Sequence, residues 1–326
     1  MSRISPRAKL LLRWSLRLIG LGLFAWIISR VDVESMGERL STADPWLALW
    51  AVLVTVFVLA VKAWRWKLLL KSLGIEVEYR EVLRLYALGW YGGAISPGQL
   101  GEFFRIIPLI RRGHPAQDAF LSSLLDRLLD LAMLVLLGLV ALYVLLGVPL
   151  YWPLGIVLAA LASAIAMVVW MRTRGAPLFL ERWATRALSR LGEDNAERFR
   201  AHLANLIKRP WSVLTVPALL SVLAAAIIAL RAVLMGWSLG IDVAWYYLFL
   251  AGAGASLMAI VPISIQGIGT RDAAMILLLG AVGVEPEAAL SFSLFFLALM
   301  LMHGLIGWLT WTFTTDKKAP ASPTNG

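Results

Sequence analysis

The chain has 326 residues, of which 60% are hydrophobic and 15% charged, with a mean hydropathy of +0.79. Soluble domains carry about 25% charged residues, so a water-soluble enzyme is excluded. The net charge of +10 would suggest nucleic acid in a soluble protein; in a chain this apolar its distribution is a topology signal instead.

Residues 10–29 form the first predicted span, preceded and entered by Arg3, Arg7, Lys9, Arg13 and Arg17. This segment is basic and then apolar like a signal peptide, but no small-residue cleavage site precedes Arg30, so a retained helix is expected. An acidic turn follows, with Asp32, Glu34, Glu38 and Asp44, and Asp44-Pro45 is placed to cap the second helix. That helix ends in Trp64, Arg65, Trp66, Lys67 and Lys71, the aromatic and cationic composition of a headgroup layer.

The next segment does not read as an ordinary span. Residues 82–95 are apolar, Ala94-Ile95-Ser96-Pro97-Gly98 break the helix, and 99–111 resume with Glu102 and Arg105 inside the apolar pattern. Each arm is about 21 Å at 1.5 Å per residue, short of the roughly 30 Å hydrocarbon layer. A re-entrant hairpin at 82–111 is predicted. Full spans are expected at 119–147 and 152–171, then a basic cytoplasmic loop at 172–209 whose amphipathic 176–209 portion suits a lipid surface, then a span at 211–235.

A second interrupted segment covers 245–281, broken at Pro262-Ile263-Ser264-Ile265-Gln266-Gly267-Ile268-Gly269 and resuming with Arg271 and Asp272. Downstream, Gly283 and Pro286 before Ala289 and Ser291 parallel Gly113 and Pro115 before Ala119 and Ser122. The last span covers 287–313, and 314–326 read as a disordered tail containing Lys317 and Lys318. The expected fold is therefore all-α: a polytopic transmembrane helical bundle of about six full spans plus two re-entrant hairpins. Residues 1–313 would form one transmembrane domain, with repeat one at about 45–171 and repeat two at about 211–313. Basic segments inside and acidic turns outside put both termini in the cytoplasm. The hairpins then open to opposite faces, an inverted repeat of the transporter kind. Two full spans over 245–281 would leave the termini on the same side, so charge alone does not separate the two topologies.

Ionisable residues inside apolar segments are costly and mark function or a required partner. Here they are Glu102, Arg105, Asp126, Arg127, Asp130, Arg231, Arg271 and Asp272. Asp126 and Asp130 share a helical face. One reading pairs Arg105 with Asp126 or Asp130, and Arg271 with Glu102, to lock the hairpins; the other has these groups handle substrate or protons. Breaks at Ser96-Pro97 and Ser264 would present helix N-termini to an anion, and Gly98, Gly101, Gly267 and Gly269 would let a bulky headgroup approach the backbone. The candidate substrate site is thus Ser96, Pro97, Gly98, Gly101, Glu102, Arg105, Asp126, Arg127, Asp130, Gly267, Gly269, Arg271 and Asp272, suited to an anionic phospholipid or polyprenyl phosphate.

No cysteine is present. His114, His202 and His303 are too scattered for a metal triad, Ser96 has no neighbouring base, and the glycine-rich stretches fit neither a P-loop nor a dinucleotide motif. No catalytic residue, metal, cofactor or nucleic-acid partner is expected; an oligomer is compatible with the sequence.

Pro97-Gly98-Gln99-Leu100-Gly101-Glu102-Phe103-Phe104-Arg105, then Asp126-Arg127 with Asp130-Leu131, then Gly267-Ile268-Gly269-Thr270-Arg271-Asp272 resemble the lysylphosphatidylglycerol synthase transmembrane-region family, over about 10–313. That family includes the flippase half of the multiple peptide resistance factor. The resemblance implies a bacterial-type inner-membrane lipid translocator, with Glu102, Arg105, Asp126, Arg127, Arg271 and Asp272 along the lipid path. Asp272 stands where the family usually has Glu, and the aminoacyl-transferase domain of the full synthases is absent from these residues, so lysyl transfer is not expected. The alternatives are an accessory subunit presenting lipid to a separate glycosyltransferase or lipid synthase, and an intramembrane lipid-modifying enzyme using an acid among Glu102, Asp126, Asp130 and Asp272.

Overall fold

A computed structural model describes residues 25–29, 32–149, 155, 212–260 and 267–314. The expected loop at 172–209, nearly all of the spans at 10–29 and 152–171, the first hairpin residues of the second break, and the tail beyond Thr314 lie outside the described residues. Those that are described are helical, without strands: α1 (Val33–Ser41), α2 (Pro45–Ser72), α3 (Tyr79–Ile95), a 3-10 segment (Pro97–Ile106), α4 (Ile107–Arg111), α5 (Ala116–Leu146), α6 (Ser212–Ser238), α7 (Trp245–Ile260), α8 (Thr270–Gly280) and α9 (Pro286–Thr314).

Four of these, α2, α5, α6 and α9, are long and apolar enough to cross a bilayer, and they match four of the six expected spans. Their outer faces carry Trp46, Phe57, Trp64, Leu219, Leu230, Leu301 and Trp308 exposed, a surface that only lipid can cover without cost. The chain is an integral membrane protein. The cap of α2 forms as the sequence predicts: the Asp44 carboxylate accepts from the Trp46 and Leu47 N–H groups, with Pro45 in the first turn.

Both interrupted segments fold back on themselves. α3 stops at Ile95 because Ser96 precedes a proline and takes an extended conformation (φ −113°, ψ 143°). The chain then returns along α3 as a 3-10 segment, not the α-helix expected from the apolar pattern. Gly92 and Gly101 face each other so closely that a Cβ on either would strike the other's carbonyl, and a Cβ on Gly89 or Gly93 would come within 3.0 Å of Glu102 atoms. In the second hairpin a Cβ on Gly267 (φ +76°) would lie 2.7 Å from that of Ala259. Gly101 and Gly267 therefore admit the opposite arm of their own hairpin, where the sequence suggested space for a headgroup. α8, with 11 residues, is about 16 Å long, short of the roughly 30 Å hydrocarbon layer.

Equivalent turns bracket the two hairpins. After α2, Gly74 N–H donates to Lys71 C=O and Ile75 N–H to Leu70 C=O; after α6, Gly240 donates to Trp237 and Ile241 to Gly236. Before α5, Gly113 (φ +88°) and His114 donate to Ile110 and Leu109; before α9, Gly283 (φ +85°) and Val284 donate to Gly280 and Leu279. Packing follows the same exchange. α2 lies on α6, while α5 packs on α7 and, reciprocally, α9 packs on α3. α2 and α6 are antiparallel, because the start of one meets the end of the other at Asp44 N–H to Ser238 C=O (2.8 Å), and Arg65 near the end of α2 reaches Ser221 early in α6.

Replacing Gly101 by Val forces two backbones apart, and overpacking of this kind costs about 1–3 kcal/mol. The variant is expected to melt below wild type in detergent, whereas Gly280→Ala, with open space around its Cβ position, is expected to melt within a degree or two of wild type, roughly the scale of a neutral surface change.

Candidate functional site

The polar centre of the bundle is built around Asp126 on α5. Its carboxylate accepts from Arg65 Nε (2.7 Å), Arg105 Nη2 (2.8 Å) and Tyr86 OH (3.1 Å). Arg65 extends the network with Nη1, which donates to Asp130 Oδ1 (2.8 Å) and Ser221 Oγ (2.9 Å). Lys62 Nζ donates to the second oxygen of Asp130 (3.0 Å). Arg105 also donates from Nε to Ser123 Oγ (3.0 Å), and its guanidinium lies 4.4 Å over Trp66 and 4.5 Å over Tyr86. Arg65 is fully buried, Asp126 is 1% exposed and Arg105 2%. In a low-dielectric bundle such charges persist only with opposite charge and hydrogen bonds beside them, and here Arg65, Arg105 and Lys62 share the Asp126 and Asp130 carboxylates.

This corrects the reading of the end of α2. Trp64 is exposed, as an interfacial anchor should be, but Arg65 and Trp66 are fully buried. Successive residues on an α-helix point about 100° apart, so adjacent residues in this aromatic and basic stretch take opposite roles. Arg65, Lys62, Tyr86, Ser123 and Ser221 were all missed as site residues. A signal existed: Lys62 and Arg65 lie on one face of an otherwise apolar helix, three apart, facing the charge of Asp126 and Asp130.

A second group lies beside the first. Arg127 donates to Glu102 Oε2 (3.0 Å) and Gln99 Oε1 (2.8 Å), all half-buried. Gln99 has a left-handed backbone (φ +58°), rare for a residue other than glycine, and its side chain bond to Arg127 holds it there. Ser96 Oγ accepts from the Gly101 N–H (2.6 Å), closing the turn that carries Pro97 and Gly98.

The third group is in the second hairpin. Arg271 donates to Asp272 Oδ1 (2.8 Å) and to Ser293 Oγ (3.1 Å), and Ser293 in turn donates to Asp272 Oδ1 (2.5 Å). The Gly269 N–H donates to Asp272 Oδ2 (2.8 Å). The expected pairing of Arg271 with Glu102 does not form, because each finds a partner within its own half of the bundle: Asp272 next in sequence, and Arg127 across the hairpin. The N-terminus of α8 is already occupied by the Asp272 carboxylate, so it does not present free N–H groups to an anion. Arg105 and Arg271 are nevertheless alike, each bonding a serine through Nε and an aspartate through Nη2.

Between the two halves lies a cavity of about 250 Å³. Its polar lining comes from Lys62, Gln99, Glu102, Arg127, Asp130, Ser221, Arg231, Ser256 and His303, and its apolar lining includes Leu134, Leu137, Phe249 and Phe296. Of the predicted site residues, Glu102, Arg127 and Asp130 line it. Ser96, Gly101, Arg105, Asp126, Gly267, Gly269, Arg271 and Asp272 stand behind its wall or in the hairpin turns.

A bundle of apolar helices with paired charges at its centre defines the class as polytopic helical membrane proteins. Residues 14–307 match the family model described as "Lysylphosphatidylglycerol synthase TM region", and the chain belongs to that family. It is also similar to a UPF0104 membrane protein of Methanothermobacter thermautotrophicus, 23% identical over 294 residues that cover 83% of this chain and 86% of the relative. No solved structure matches.

Breaking a buried ion pair by removing one partner costs about 3–5 kcal/mol, since the remaining charge is stranded. Asp126→Asn leaves Arg65 and Arg105 short of an acid, and Arg65→Met leaves Asp126 and Asp130 short of a base. Both variants are expected to melt well below wild type, and the double variant Arg65→Met/Asp126→Asn to recover part of the loss. Thermal denaturation in detergent checks this; independent, additive losses would mean the pair is not coupled.

Proposed function

We propose that this protein is a lipid translocator of a bacterial-type inner membrane, moving an anionic phospholipid or polyprenyl-phosphate-type lipid, with both termini in the cytoplasm. The observation that carries the reading is the central cavity. It is lined by cations, acids and the Gln99 amide together with aliphatic and aromatic side chains, the combination that a charged headgroup with hydrocarbon tails requires. The antiparallel arrangement of α2 and α6 and the reciprocal packing of α5 on α7 and α9 on α3 support an inverted repeat. The two fold-back segments are then re-entrant hairpins entering from opposite faces, an arrangement found in secondary transporters with a site at the midplane. Family membership favours a lipid as the cargo.

Within this reading the cavity pairs are gates as well as contacts. Arg127 with Glu102, and Lys62 with Asp130, are only partly buried, so a headgroup can exchange for either partner at a smaller desolvation cost than the fully buried Arg65, Arg105 and Arg271 pairs would impose. The deeply buried pairs hold the frame. No catalytic role is assigned to Glu102, Asp126, Asp130 or Asp272, each of which is held by basic partners.

Reconstitution into liposomes with a headgroup-accessibility assay tests the proposal. Wild-type protein is expected to move fluorescent or chemically tagged anionic lipid between leaflets. Arg127→Ala and Glu102→Gln should each slow movement by about tenfold or more, equivalent to roughly 1.4 kcal/mol, while still inserting and remaining monodisperse. Lipid binding without movement would favour a subunit that presents lipid to a separate glycosyltransferase or synthase; a chemically altered lipid would favour an enzyme.

A further inference from the structure

The two halves of the bundle are matched by their turns, and the match exposes one residue that has lost its partners. Arg65 precedes the turn glycine Gly74 by nine residues, and Arg231 precedes the equivalent glycine Gly240 by nine. Counting forward from the other pair of turn glycines, Gly113 and Gly283, Ser123 corresponds to Ser293, Asp126 to Phe296 and Asp130 to Met300. The serine match is independently supported, since Ser123 accepts from Arg105 and Ser293 from Arg271 through the same Nε atom. The arginine match is supported too. Arg65 contacts Asp126, and the Arg231 guanidinium sits 5.4 Å from the ring centre of Phe296.

The first half thus places two carboxylates around its α2 arginine, whereas the second half places a phenyl ring beside its α6 arginine and a thioether, Met300, that accepts from Arg271 along the same cavity. Arg231 is only 8% exposed, its Nε has no hydrogen-bond partner, and among the described residues no acid pairs with it. It lines the cavity beside Phe296, Met300 and His303. His303 is stacked on Trp90 with ring centres 4.0 Å apart, and its Nε2 is also buried without a partner. An uncompensated guanidinium in an apolar bundle is strongly unfavourable, and the fold keeps this one next to an opening that can admit a ligand.

The geometry points to Arg231 as the anion-binding residue of the cavity, its missing counter-charge being supplied by the phosphate of a lipid headgroup. This rests on the lipid-handling reading above and narrows it. In the cavity wall Lys62 has Asp130 and Arg127 has Glu102 as acid partners, whereas Arg231 has none among the described residues. A phosphodiester supplies one charge and two free oxygens for the fork of guanidinium donors. His303 Nε2 offers a further hydrogen bond to the headgroup, and Phe296, Phe249 and Ile228 cover the first carbons of the tails.

The test is thermal unfolding of the full chain, purified in uncharged detergent and followed by tryptophan fluorescence, with dihexanoyl phosphatidylglycerol, dihexanoylglycerol or inorganic phosphate added. Phosphatidylglycerol is expected to raise the wild-type Tm, and dihexanoylglycerol to leave it unchanged. Inorganic phosphate should need at least about ten times the concentration for the same shift, because it buries no hydrocarbon. Arg231→Met should lose the response and, without lipid, melt at or above wild type, since methionine joins Phe296 and Met300. Phe296→Asp should lose the response by a different route, giving Arg231 the acid that Arg65 has. Arg231→Lys should keep part of it.

A full phosphatidylglycerol response in Arg231→Met, an equal wild-type response to dihexanoylglycerol, or ligand-free Arg231→Met melting far below wild type would each overturn the inference. A response to inorganic phosphate at the lipid's own concentration would overturn its lipid part. Binding through Arg231 without movement in liposomes would remove translocation and leave this inference; movement at the wild-type rate in Arg231→Met would do the reverse.

Discussion

Charge burial governs this bundle. The Asp126 carboxylate gathers Arg65 from α2, Tyr86 from α3 and Arg105 from the 3-10 segment onto α5, and Arg65 passes the connection to Ser221 on α6. In lipid there is no hydrophobic driving force between apolar helices beyond what the bilayer already satisfies, so close packing and polar contacts must specify which helices meet. A single carboxylate with three donors fixes the relative positions of four elements, because moving any one of them leaves a charge unmatched in a medium that cannot solvate it.

The hairpins solve a related problem. Chain that reverses inside a membrane frees backbone N–H and C=O groups, which must be satisfied by protein. Ser96 Oγ takes the Gly101 N–H in the first hairpin and Asp272 takes the Gly269 N–H in the second. The glycine contacts bring each returning arm against its partner, so the reversal is shielded by the hairpin itself. Arg105 and Arg271 then bind the hairpins to the long helices that follow them, through Ser123 and Ser293.

Two related halves built on this plan need not carry the same chemistry. The first half surrounds its α2 arginine with aspartates, and the second surrounds its α6 arginine with apolar side chains. Arg65 is held by Asp126 and Asp130, while Arg231 lines the cavity with its Nε unpartnered.

Much was legible from residue order because the bilayer imposes a simple rule: runs of apolar residues span, and breaks within them mark reversals. Four described spans, the Asp44 cap, both fold-back segments, the Gly113 and Gly283 turns and the importance of Asp126 and Asp130 follow from that rule and from the cost of buried charge. The pairing of those charges was not legible. Arg65 looked like a headgroup anchor because its neighbours Trp64 and Lys67 suit an interface, and Arg271 was expected to pair with Glu102. Only the tertiary arrangement, which sets the rotation of α2 and brings α9 against α3, decided that Arg65 turns inward, that Arg271 bonds Asp272, and that Arg231 faces a cavity with no acid partner among the described residues. Local sequence fixes how far a helix runs and where it breaks; which face meets which neighbour depends on contacts between residues far apart in the chain.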